Sequence, residues 1–170
     1  MVRIAEITGP QFPAFFNCFE ILMQEGYAGF PAKLREFFIM KEYSQSNFFQ
    51  WYEKQLRKIY IAFNETEQLI GFLVGDNTYG GIAFITWIGV LPAYRKHGVG
   101  KQLLQFYEEY VRTRNAHLIE LFTYEGVKEF YIKNGFKEIG RREEGFFGQQ
   151  NIIMNKKIGS WDISNIPPIS

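Results

Sequence analysis

Apolar positions change their spacing along the chain, and those changes divide it into elements. Residues 3–7 (Arg3-Ile4-Ala5-Glu6-Ile7) alternate weakly and predict a short strand. The next apolar residues fall at Phe12, Phe15, Phe16, Phe19, Leu22 and Met23, a helical spacing that Gly26 stops at about Glu25. A second helical region begins at Pro31, a residue suited to a first turn, and runs through Leu34, Phe37, Phe38 and Tyr43. It resumes after Ser46-Asn47 with Phe48, Trp51, Tyr52 and Leu56.

The period then shortens to two. Residues 59–63 and 69–74 flank the polar turn Asn64-Glu65-Thr66-Glu67-Gln68 and predict a hairpin, and Asp76-Asn77-Thr78-Tyr79-Gly80-Gly81 supplies the next turn before a strand over 82–90. Helical spacing returns at Val99, Leu103, Phe106, Tyr107, Tyr110 and Val111. A strand over 116–123 follows, then a short helix carrying Val127, Phe130 and Tyr131, which Asn134-Gly135 caps with Phe136 packing beyond. Residues 136–142 and 150–156 predict a last strand pair around the turn at Gly145-Phe146-Phe147-Gly148. This order predicts a mixed α/β sheet with at least one parallel crossover, in a single domain over 1–158. Residues 159–170, aperiodic and containing Pro167-Pro168, read as an extended tail.

Composition narrows the function. A chain of 170 residues can bury about 70% of its extended surface, enough for one domain. Nineteen Lys+Arg against eighteen Asp+Glu leave a net charge of +1, which removes the electrostatic argument for a nucleic-acid or anionic-membrane partner. The lone Cys18 cannot form an internal disulfide, and with two histidines it cannot build a common structural zinc site. Cys18 sits in the first helical pattern and reads as a helix residue rather than a nucleophile. No metal is expected. The N-terminus lacks a signal-peptide pattern, and the longest apolar run, residues 82–91, is about half of the ~20 residues a spanning helix needs. A soluble, cytoplasmic protein is expected. The surplus is aromatic: 18 Phe, 10 Tyr and 3 Trp, or 18% of the chain.

The informative chemistry lies in the crossover between the strands over 82–90 and 116–123. There Arg95-Lys96-His97-Gly98-Val99-Gly100-Lys101 carries three cations, a histidine, two glycines and no carboxylate, at a helix start. Unpaired helix amides and the positive end of the dipole suit a phosphate, and glycine lets it approach the backbone. A Walker loop fails, because Arg95 stands where glycine is needed and Gln102 where Ser or Thr is needed. A dinucleotide fingerprint fails at Leu103.

What remains resembles the GNAT superfamily of N-acetyltransferases. Its pyrophosphate motif Q/R-x-x-G-x-G/A is matched by Arg95, Gly98 and Gly100, after a strand end Ile88-Gly89-Val90-Leu91-Pro92 of the family's kind. About thirty residues on, Phe130-Tyr131-Ile132-Lys133-Asn134-Gly135-Phe136 matches the second hallmark, aromatic-Tyr-x-x-x-Gly-Phe. The resemblance covers about residues 69–156. It implies a central, mostly antiparallel mixed sheet with one splayed parallel pair and flanking helices, and acetyl-CoA as co-substrate.

By that resemblance the backbone of Ile88 and Val90 holds the pantetheine and the acetyl carbonyl, and Arg95, Lys96, His97, Gly98, Val99, Gly100 and Lys101 hold the pyrophosphate. Tyr131 protonates the departing thiolate, for which a phenol with pKa ~10 is a competent acid. The acceptor is a small-molecule or peptide amine, attacked directly in a ternary complex because no cysteine is placed for a covalent route. Glu120, isolated in an apolar strand, is a candidate general base, with Glu125, Tyr79 and His117 behind it. Tyr124 and Val127 depart from the asparagine and alanine usual in the family. The helical region over 25–58 and the turn over 145–148 are expected to flank the acceptor, with Tyr27, Phe30, Phe146 and Phe147 lining it or filling core or a homodimer contact. Two other readings stay open: a non-catalytic acyl-CoA-binding module and an interaction protein using its aromatic surface.

Overall fold

The computed structural model describes residues 2–25, 29–76 and 78–166. Seven strands form one sheet in the order β1-β2-β3-β4-β5-β7-β6: β1 Arg3–Glu6, β2 Arg57–Phe63, β3 Leu69–Asp76, β4 Ile82–Val90, β5 Leu118–Thr123, β6 Lys137–Arg142 and β7 Asn151–Lys157. Every pair is antiparallel except β4 with β5, which are joined by the long crossover that a parallel pair requires. The mixed sheet is the one expected.

Helices cover both faces. On one side lie α1 (Phe12–Gln24), α2 (Ala32–Phe37) and α3 (Gln45–Glu53); on the other lie α4 (Val99–Thr113) and α5 (Glu125–Lys133). The first face is packed by rings. Phe15 meets Phe48 and Phe72 edge-on at 5.0 and 5.2 Å, and Phe19 meets Trp87 at 5.6 Å. Much of the aromatic surplus is therefore core. Cys18 is buried there and its thiol is pushed up to about 12 by that burial, which fits an inert helix residue. On the second face, Leu103, Tyr107 and Val111 of α4 seat the helix on Ile85 and Leu121.

Two segments differ from the pattern reading. The second helical region breaks into α2, a wider π-type turn over Phe38–Glu42 in which the Tyr43 amide bonds to the Phe38 carbonyl at 2.8 Å, and α3. The α3 helix begins at Gln45, three residues before Phe48, because Ser44 caps it by accepting from the Asn47 amide. Asp76, read as the first turn residue, is the last residue of β3. After β7 the chain folds back, and the Trp161 ring lies 5.4 Å from His117. Among the described residues no helix is long and apolar enough to cross a membrane.

Candidate active site

The parallel pairing of β4 and β5 is short. It runs from Ile82↔Leu118 to Ile85↔Leu121 and stops. Beyond that point β5 stays with β7 as far as Thr123↔Ile152, while β4 stays with β3 as far as Val90↔Gly71. The cause is one extra residue. Between Gly75↔Ile85 and Val74↔Trp87 the β4 strand carries Thr86 without a partner position on β3, a bulge that bends β4 away. The bulge also exchanges faces. Ile85 packs in the core under α4, whereas Trp87, which strict alternation would place beside it, packs in the ring core under α1.

Tyr107 braces this irregularity from below. Its ring occupies the space where a Cβ on Gly75 would lie, 2.4 Å from the ring atoms, so only glycine fits. Its hydroxyl lies 2.9 Å from the Asp76 carbonyl on β3 and 3.0 Å from the Phe84 carbonyl on β4, donating to two strands just beyond the Gly75↔Ile85 pair that borders the bulge. Burial raises the Tyr107 pKa well above the ordinary value, which keeps this donor protonated.

The Leu91 amide donates to the Ile70 carbonyl at 2.9 Å, which fixes the alternation along the end of β4. Gly89 and Leu91 present their backbone groups to β3, and Ile88 and Val90 present theirs to the gap. The chain then turns, and Arg95 Nε donates back to the Val90 carbonyl at 2.9 Å while its guanidinium lies 3.7 Å from Glu25. Gly98 sits left-handed (φ 79°) at the start of α4 and offers no side chain to cap it, and the first turn contains no acid. The first amides of α4 are thus aimed outward beside Lys96 and Lys101. Gly100 lets α5 cross closely, since a Cβ there would lie 3.1 Å from the Phe130 ring.

A cavity of about 930 Å³ runs from this loop along the gap between β4 and β5. Ile88, Val90, Arg95, Lys96, Gly98, Val99, Gly100, Lys101 and Tyr131 all lie on its wall. His97 is exposed and is not on that wall. Tyr131 is buried between Phe130 at 5.1 Å and Phe136 at 5.7 Å, on the last turn of α5. That turn is closed by Gly135 at φ 88°, with the Gly135 and Phe136 amides bonded back to Ile132 and Tyr131. Tyr124 and Val127, the two departures from the family pattern, also line the cavity.

The carboxylates singled out from the sequence are elsewhere. Glu120 is not on the wall, Glu125 pairs with Arg141 at 2.9 Å, and Tyr79 is 90% exposed. His117 is covered by Trp161. The acid that does face the cavity on the β3–β4 side is Asp76, which the turn-like letters around it concealed. Thr86 Oγ1 donates to its Oδ1 at 3.2 Å and Arg57 Nε lies 3.4 Å away. Burial raises the Asp76 pKa, and Arg57 and the Thr86 hydrogen bond oppose that rise. Beside them burial raises the Tyr43 pKa, and Arg57 and Trp87 oppose that rise. Phe30, Phe146 and Phe147 line the cavity; Tyr27 lies outside the described residues.

A splayed parallel pair leading to glycine-opened helix amides can seat an extended arm that ends in phosphates, with an acid and a phenol farther along its wall. The N-acetyltransferase paia of Thermoplasma acidophilum, solved in complex with coenzyme A, superposes with a TM-score of 0.77 at 20% identity, over 93% of this chain and 99% of that one. The ribosomal-protein-S18-alanine N-acetyltransferase of Escherichia coli gives 0.71 at 19% identity, over 96% and 97%. These likenesses are of fold. A model of the Acetyltransferase (GNAT) family matches residues 18–136, from the middle of α1 to the residue before β6 and well over half of the chain. The protein belongs to the GNAT acetyltransferase family.

Proposed function

We propose that this protein is an N-acetyltransferase that takes its acetyl group from acetyl-CoA and passes it to a primary amine by direct attack. The observation that carries the reading is the parting of β4 from β5 after Ile85↔Leu121, which opens a gap ending at the amides of α4. When bound, acetyl-CoA would supply the thioester whose acyl carbon accepts the amine.

The chain's own groups divide the remaining tasks. The loop over 95–101 and the start of α4 hold the pyrophosphate, with Arg95, Lys96 and Lys101 as that loop's cations on the cavity wall. The backbone of Ile88 and Val90 holds the pantetheine arm and offers an amide to negative charge developing on the carbonyl oxygen. Asp76 accepts the proton that the attacking nitrogen must lose. Its placement on the wall puts it within the site, and burial raises its pKa and so its strength as a base. Tyr131 gives its phenolic proton to the sulfur as the C–S bond breaks, and solvent returns that proton. His97, on the exposed side of the loop, supports the phosphate site through its backbone at most.

Two measurements test the reading. Acetyl-CoA at a hundred times its Kd should stabilise the fold by about 2.7 kcal/mol. A melting temperature unmoved by millimolar acetyl-CoA would refute the donor assignment. Tyr131→Phe should lower kcat by about 10²-fold or more with little change in acetyl-CoA affinity. Turnover equal to wild type would remove Tyr131 as the acid.

A further inference from the structure

Away from the α4 loop the cavity wall carries many rings and one carboxylate, together with Arg57 and the amide side chains of Gln149, Gln150 and Asn151. Phe38, in the π-type turn, lies 5.7 Å from Trp87 and 5.0 Å from Phe147. Rings from the α2 side, from β4 and from the β6–β7 connection therefore meet over this end. Phe122 joins the opposite wall, 5.0 Å from Phe84 and 5.1 Å from Phe146. Phe147 holds its place at a left-handed backbone (φ 56°, ψ 31°), a conformation costly for a non-glycine residue and one that sends its half-exposed ring onto Phe38.

Charge is scarce here. Among the described residues, the acids on the cavity wall are Asp76 and Glu25, and Glu25 lies at the other end beside Arg95. Asp76 has Arg57 beside it at 3.4 Å. One ammonium can sit on Asp76 and against ring faces, where cation–π attraction adds to the ion pair. A second ammonium a few ångströms away would meet Arg57 and find no acid, so a polyamine or aminoglycoside is poorly matched.

We propose that the acceptor is a small primary monoamine carried on an aromatic body, its nitrogen on Asp76 and its ring against the exposed faces of Phe146 and Phe147. This rests on the acetyl-transfer reading above and adds the acceptor class to it. The experiment follows thiol release from acetyl-CoA by the full-length protein with phenylethylamine, spermidine or an unmodified alanine-initiated peptide as acceptor. Phenylethylamine should exceed both others in kcat/KM by about tenfold or more. Phe147→Ala, at a half-exposed position, should raise the KM for phenylethylamine about tenfold while the KM for acetyl-CoA changes less than about twofold. Spermidine or the peptide used as well as phenylethylamine overturns the assignment, as does an unchanged KM in Phe147→Ala. Acetyl-CoA-induced stabilisation measured alongside separates the two levels. Stabilisation without phenylethylamine turnover overturns the acceptor class and leaves the donor reading standing; no stabilisation overturns both.

Discussion

Asp76 owes its chemistry to residues distant in sequence. Arg57 reaches it from β2, Thr86 from the bulge of β4, and burial between them raises its pKa. As the base it works only when ionised, so activity is present above its folded pKa and is lost as pH falls through it. Because that pKa is raised, the acid limb of the kcat/KM profile should lie above the ordinary aspartate value. Asp76→Asn should lower kcat by about 10²–10⁴-fold and abolish that limb. A variant that keeps both its rate and the limb would show that another group takes the proton. Nothing local marks this residue. In Asp76-Asn77-Thr78-Tyr79-Gly80-Gly81 it has the letters of a turn, and only the register with Arg57 turns it into a wall residue. Arg95, Gly98 and Gly100 are legible because their work is local: a helix start needs its glycines within a few positions.

Elements carry what single residues do not reveal. The loop before α4 reads as one contiguous cation cluster, yet its left-handed turns at Lys96 and Gly98 leave His97 off the wall that Lys96 and Lys101 line. Likewise the aromatic run from Leu34 to Tyr43 reads as one helix, while the π-type turn at Phe38–Glu42 brings Phe38 onto the cavity wall with Tyr43. The strongest coupling between elements is that of α4 to β4 through Tyr107. Its hydroxyl serves two carbonyls in a buried setting, so Tyr107→Phe should cost about 1–3 kcal/mol. For a chain of this size that amounts to a fall in Tm of about 2–12 °C. It should also weaken acetyl-CoA binding, because the bulge it braces sets the gap. Thermal melting and an acetyl-CoA titration read both effects; an unchanged Tm would mean that the bulge holds without this brace.

At the scale of the whole molecule, the sheet is two smaller sheets that share four paired positions. One is β1 to β4, backed by the ring core under α1; the other is β5, β7 and β6, seated under α5. Element order and the parallel crossover follow from the apolar pattern, since each buried face repeats with its own period. The parting of the halves does not. The residues on both sides of Thr86 are apolar and buried in turn, so the alternation of Ile85 and Trp87 looks unbroken although their side chains enter different cores.

Measured in chain length, the cleft is worth a single residue. A β4 one residue shorter between Ile85 and Trp87 could keep step with β3 and continue beside β5 to its end, closing the ladder where the cavity now lies. The capacity for chemistry in this chain is thus written partly as a count rather than as a letter. A substitution at position 86 keeps that count, and a deletion there erases it.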